Sequence, residues 1–178
     1  KPGSRPLIGI VGEIFVRLNR FSNENVIRKI EELGGEAWIA PMSEWILYVN
    51  EVSKSSSLRK RSFSNLLKVL LTDYYQKRDE HHLEKTFKGR LRNYGEPKTV
   101  TIFKKAKPYL DRSFEGEAIL SVGKTIDFAE RGASGVVNIM PFTCMPGTIV
   151  SALLNRYREG NSNIPTLTMA YDGQEQTN

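Results

Sequence analysis

Gly135-Val136-Val137-Asn138-Ile139-Met140, running into Pro141-Phe142-Thr143-Cys144-Met145-Pro146-Gly147, decides the fold class. The first six residues form a mostly apolar run that reads as a buried parallel strand. Behind the turn, Ile149, Val150, Leu153, Leu154 and Tyr157 recur at helical spacing and stop at Gly160, which predicts a helix over 148–159. Pro146 suits a first helical turn, where its missing N–H costs nothing. Cys144 therefore falls where a strand ends and a helix begins, close to the positive end of that helix. Such a position favours a thiolate, and with it a metal ligand or a nucleophile. The same spacing also suits a small buried side chain in a tight turn.

Outward from this stretch the pattern repeats. Pro6-Leu7-Ile8-Gly9-Ile10-Val11-Gly12 reads as a first buried strand. Val26, Ile27, Ile30 and Leu33 mark an amphipathic helix closing at Gly34-Gly35, and Glu36-Ala37-Trp38-Ile39-Ala40 reads as a second strand stopped by Pro41. Ile119, Val122, Ile126 and Ala129 mark a helix over 116–131, and Thr166–Tyr171 completes the set as a last strand. Right-handed crossovers between parallel strands then give an α/β fold. We expect a Rossmann-like four-stranded parallel sheet of order 2-1-3-4, flanked by helices on both faces.

The middle has a different character. Phe63, Leu66, Leu67, Leu70, Leu71, Tyr74 and Tyr75 follow helical periodicity for three turns. Leu83, Phe87, Leu91 and Tyr94 suggest a second helix broken at Gly95-Glu96-Pro97, and Phe103, Ala106 and Leu110 a third. The expected organisation is a discontinuous sheet domain, 1–41 with 113–178, interrupted by a mostly helical insertion at 42–112.

Charge separates the same two parts. The chain has 178 residues and a net charge of +6, but 42–112 holds 16 Lys or Arg against 8 Asp or Glu. The remainder holds 10 against 12, so the basic character belongs to the insertion alone. Its cations carry no recognition-helix signature, which argues against nucleic acid and for a solvated surface or an acidic or phosphate-bearing partner. No apolar run reaches the roughly 18 residues of a membrane span. A single cysteine supports no disulfide framework, so a reducing, cytoplasmic setting is expected. Lys1-Pro2-Gly3-Ser4-Arg5-Pro6 lacks the apolar core of a signal peptide and reads as a linker or the edge of a longer protein.

Several familiar chemistries are excluded. Gly9-Ile10-Val11-Gly12 lacks the G-x-G-x-x-G spacing, and Glu13 would repel a pyrophosphate. No phosphate-binding loop for ATP occurs. His81 and His82 are neighbours in a predicted helix, pointing about 100° apart, a poor ligand pair. In open parallel sheets ligands bind beyond the carboxyl ends of the strands. The residues leaving those ends include Glu13, Arg17, Cys144, Asp172 and Gln174. Arg17 is the candidate for holding a carboxylate or phosphate group, since its fork binds both in bidentate fashion. Glu13, Asp172 and Gln174 would orient substrate, or else satisfy turns and helix ends.

Three segments together resemble a known family. Gly9-Ile10-Val11-Gly12-Glu13-Ile14-Phe15-Val16-Arg17-Leu18-Asn19, the Pro41-Met42-Ser43-Glu44-Trp45-Ile46 turn, and 116–147 with Tyr171-Asp172-Gly173-Gln174-Glu175 carry the likeness. They resemble the C-terminal, 2-hydroxyglutaryl-CoA dehydratase D-component-like region of CoA-substrate-specific enzyme activase proteins. The resemblance covers the two ends of the chain and not the basic middle. It implies a [4Fe–4S] or double-cubane iron–sulfur cluster with Cys144 as one ligand. It also implies low-potential electrons from ATP-dependent activase domains, an acyl-CoA or other small substrate, a cytoplasmic enzyme of anaerobic metabolism, and possible oligomers. Clusters take about four cysteine ligands and this chain has one, so the others are expected elsewhere and this piece alone is expected to be inactive. A second expectation remains: an interaction domain whose basic helices dock the activase domains, with Cys144 a structural turn residue.

Overall fold

The two most apolar runs form the centre of a sheet because they are buried on both faces. In the computed structural model, which describes residues 5–89, 95–161 and 164–173, β1 is Leu7–Gly12 and β2 is Glu36–Ile39. Between them lie α1, Ile14–Leu18, and α2, Val26–Glu32. The helices α3 (Met42–Arg59), α4 (Phe63–Thr86), α5 (Thr99–Ala106) and α6 (Glu117–Glu130) follow. The chain ends with β3 (Gly135–Pro141), α7 (Met145–Asn161) and β4 (Thr166–Tyr171).

All three strand pairings are parallel, and the order is β2-β1-β3-β4, as the sequence predicts. The central pair aligns Ile8 with Gly135 and Gly12 with Ile139, so both strands end at the same edge. The most apolar runs take the centre: β1 and β3 are almost wholly buried, whereas β2 is half-buried throughout. On one face Ile10, Val137 and Ile139 pack with Val16, Val26 and Tyr171. On the other lies α6, buried continuously from Ala118 to Phe128. Gly9 permits that contact, because a Cβ there would overlap the Phe128 ring. The same ring lies 4.3 Å from the Trp38 indole, and the Arg131 guanidinium covers the indole 4.7 Å from its centre.

The chain separates into two units, one of Lys1–Ala40 with Ile102–Asn178 and one of Pro41–Thr101. The division falls inside α5. Its last residues belong to the sheet unit because Ile102 and Ala106 are fully buried there, with the Ile102 carbonyl lying against Gly123 of α6.

Two expectations for the middle are corrected. The Pro41–Ile46 segment is not a turn: Pro41 precedes α3, an 18-residue helix, and Glu44 lies in its first turn. The helix read around Leu83 and Phe87 is the continuation of α4, a single 24-residue helix with Phe87 at its C-cap. No Gly or Pro lies between Tyr75 and Leu83, so nothing in that stretch stops the helix. Leu91 and Tyr94 fall outside the described residues.

The α3–α4 pair is built around polar groups. Asp73 accepts from Asn50 Nδ2 at 3.2 Å, Lys54 Nζ at 2.6 Å and Lys77 Nζ at 2.8 Å, and Lys54 also reaches Glu51 at 2.9 Å. Burial pushes the Asp73 carboxyl up, but the hydrogen bonds from Lys54 and Lys77 outweigh it and hold the group below the usual carboxylate range. Burial likewise lowers Lys54, and its bonds to Asp73 and Glu51 carry it above the usual ammonium value.

Candidate functional site

Cys144 sits at the carboxyl edge of the sheet, as its place between strand and helix predicts. Its N–H donates to the Pro141 carbonyl at 3.1 Å, closing the turn that leaves β3. Thr143, in that turn, adopts the left-handed region with φ 66°. The Cys144 carbonyl accepts from the Thr148 N–H at 3.0 Å and from the Thr148 hydroxyl at 2.9 Å. Cys144 is thus the residue that opens α7, with a free thiol that is partly accessible.

β1 delivers a second arm to this edge. Gly12 has φ 115°, and a Cβ there would overlap the Ile139 carbonyl oxygen. The next N–H, from Glu13, donates to that same oxygen at 2.9 Å, fixing the exit of β1 against β3. Glu13 then caps α1: its carboxylate accepts from the Phe15 N–H at 3.0 Å and the Val16 N–H at 2.8 Å. Arg17, on the same short helix, is buried, with 5% of its surface exposed.

A third arm comes from the start of α6. Glu117 Oε1 accepts from the Ile14 N–H at 3.5 Å. Burial and the neighbouring charge of Glu13 push the Glu117 carboxyl above its usual range, against the opposing pull of the Ile14 N–H and the Arg17 guanidinium. Two carboxyls and one guanidinium therefore interact at the entrance to α1.

The three arms meet around a hollow of about 10 Å³, lined by Glu13, Glu117, Ser121, Asn138, Cys144 and Gly147 among others. That volume matches a single water molecule. Asn138, fully buried in the middle of β3, is its polar floor. The Asn138 Nδ2 donates to the Gly147 carbonyl at 3.4 Å and the Thr168 hydroxyl at 3.5 Å, while Oδ1 has no hydrogen-bonding partner among the described residues.

Of the residues named from sequence, the structure brings Glu13 and Cys144 to one hollow and sets Arg17 beside it through Glu117. Asp172 is exposed after β4 and does not line the hollow, and Gln174 lies outside the described residues. β4 nonetheless supports the Cys144 turn, since the Phe142 N–H donates to the Tyr171 carbonyl at 2.7 Å. Burial and the charge of Glu24 push the Tyr171 phenol up to about 12, so it stays neutral at physiological pH.

Sequence reasoning missed Glu117 and Asn138 as site residues. The signal for Asn138 was present: it is the only amide or charged residue in the run Gly135–Met140. A polar residue inside an apolar strand needs a partner. Glu117 gave no such signal, because an acid in a first helical turn is ordinary.

Among the described residues no group of three or more His, Cys, Asp or Glu is arranged to hold a metal ion. Among those same residues, no helix is long and apolar enough to cross a membrane. Compared with family models, with curated proteins and with solved structures, the chain matches none.

Proposed function

We propose that Cys144 supplies one thiolate ligand to an iron–sulfur cluster, in a cytoplasmic protein of the 2-hydroxyacyl-CoA dehydratase or activase-linked reductase type. The observation that carries the reading is the position of Cys144: a free, partly accessible thiol on the residue that opens α7, at the ligand-binding edge of a parallel sheet. The resemblance of 9–19, 41–46 and 116–147 to the dehydratase D-component supports the same residue.

The donor set fits a cluster only as one corner. The chain has one cysteine, and a cluster takes about four. The hollow beside Cys144 holds about 10 Å³, too little for any cluster, so the cluster would lie on the exposed side of the thiol and draw its other ligands from another chain or another part of a longer one. When bound, it would supply low-potential electrons for reducing or dehydrating an acyl-CoA or similar small substrate. The chain's own contribution is to hold the Cys144 backbone rigid through Pro141 and Thr148 and to place Glu13 and Glu117 behind it.

The test is anaerobic reconstitution of the full-length protein with iron and sulfide, with Cys144 and with Cys144→Ser. The expected result is loss of bound iron and of thiolate-to-iron absorbance in the variant. Unchanged iron content in Cys144→Ser overturns the proposal.

A further inference from the structure

α4 is built inside out. Leu66, Val69, Asp73, Gln76, Glu80 and Glu84, the less exposed line of the helix, include four polar residues, and Asp73 is the only one of the six that is buried. Of the apolar stripe read from the sequence only Leu66 joins that line; the rest faces away from it, with Phe63 79% exposed, Leu67 60%, Leu70 47%, Leu71 52% and Tyr74 64%, and Tyr75 beside them. At 100° per residue these five side chains share one face about 100° wide, the width of a core-facing stripe. A helix that spends its polar groups on its neighbour and its leucines on water lacks its partner.

We infer that this stripe is the surface through which two copies of the chain pair. The area supports it. Five leucine and aromatic side chains at these exposures present on the order of 600 Å² per copy. Two copies would together bury about 1,200 Å², above the roughly 1,000 Å² that a specific interface needs. Pairing two helical hairpins through their outer faces gives a four-helix arrangement, with the Asn50–Asp73–Lys54 network inside each hairpin and the stripes between them. A two-fold contact also needs only one self-complementary patch, and the stripe from Phe63 to Tyr74 begins and ends on an aromatic ring.

Charge separates this occupant from an acidic partner. Residues 63–75 carry one cation, Lys68, and one anion, Asp73, so the stripe offers no net attraction to an acidic surface. Cations precede it at Arg59, Lys60 and Arg61, whereas beyond it Arg78 is paired with Asp79 at 3.0 Å and Glu80 follows. A contact between two such stripes is apolar and carries no net charge, so salt does not weaken the pair, whereas salt weakens docking of the basic flank to an acidic protein.

The experiment is sedimentation equilibrium of the chain at low and high salt, with Leu67→Lys/Leu70→Lys as the variant and Leu33→Lys, at an 89% exposed position of the sheet unit, as the control. The expected result is a dimer for the native chain and the control, not weakened at high salt. The double variant should associate at least about tenfold more weakly with unchanged far-ultraviolet circular dichroism. A native chain that stays monomeric at about 100 µM overturns the inference. So does a dimer that survives the double variant, or a monomer that binds ATPase activase domains with an affinity that falls as salt rises.

Discussion

The side chain of Asn138 spans from the middle of β3 to the carbonyl of Gly147, 3.4 Å from its amide nitrogen, on the helix that Cys144 opens. Strand and helix are therefore joined by a buried amide directly behind the candidate site. Asn138→Asp tests how much the site depends on it. A carboxylate there would face the Gly147 carbonyl with no cation among the residues lining the hollow. The variant should lose about 3–5 kcal/mol at neutral pH, the cost of an uncompensated buried charge. The new acid has a raised folded pKa, so the loss should shrink as pH falls and the group protonates. Urea unfolding at about pH 4 and pH 7 measures it; equal losses at both would show that geometry, not charge, is limiting.

The turn leaving β1 depends on Gly12 in two ways, a positive φ and the absence of a Cβ against the Ile139 carbonyl. Gly34 has only the first: its φ is 87°, with open space where a Cβ would go. Gly34→Ala should therefore cost about 1–2 kcal/mol of backbone strain. Gly12→Ala should cost at least about 3 kcal/mol, because the overlap is with backbone that cannot rotate away. Similar losses for the two, by chemical denaturation, would mean that β1 and β3 yield more readily than their register suggests.

The sheet was legible because its signals are local. β1 and β3 are short apolar runs ended by Gly12 and Pro141, and their helices close at Gly34 and Gly132, both with positive φ. The sheet order followed from right-handed crossovers between parallel strands. The site was half legible. Glu13 and Cys144 could be placed by topology alone, since both leave strands at the carboxyl edge. Glu117 could not, because its effect depends on Glu13 and Arg17, more than 99 residues earlier in the chain. The middle misled for a physical reason. Periodicity identifies an apolar stripe on α4 but not which side faces its neighbour, and here α3 takes the polar side.

Asp73 fixes that polar side and gives it a pH dependence. Its folded pKa lies below the ordinary carboxylate value, so its contribution is complete above that value and is lost as pH falls through the folded one. Asp73→Asn should destabilise the α3–α4 unit by about 2–3 kcal/mol at pH 7, through loss of charged hydrogen bonds from Lys54 and Lys77. The gap between native and variant should close in strong acid. Amide hydrogen exchange of α3 and α4 reads this unit separately. A gap that persists unchanged in acid would assign the loss to packing rather than to ionisation.

Glu117 carries the opposite sign. Its carboxyl is raised by burial and by the charge of Glu13. The favourable contribution of the protonated acid is therefore complete below the unfolded carboxyl value and is lost as pH rises through the folded one. Glu117→Gln cannot ionise and keeps an oxygen for the Ile14 N–H. It should melt above the native chain at pH 7 to 8 and level with it near pH 4. The cause can be separated from burial alone by a cycle with Glu13→Gln. Removing the Glu13 charge lowers the Glu117 carboxyl toward its usual range, so Glu117→Gln should gain less in that background than in the native one. Equal gains in both backgrounds would show that burial acts alone and that the two carboxyls do not sense each other. A Glu117→Gln that melts lower at every pH would make the Arg17 guanidinium the dominant neighbour, with Glu117 its ionised partner at the entrance to α1.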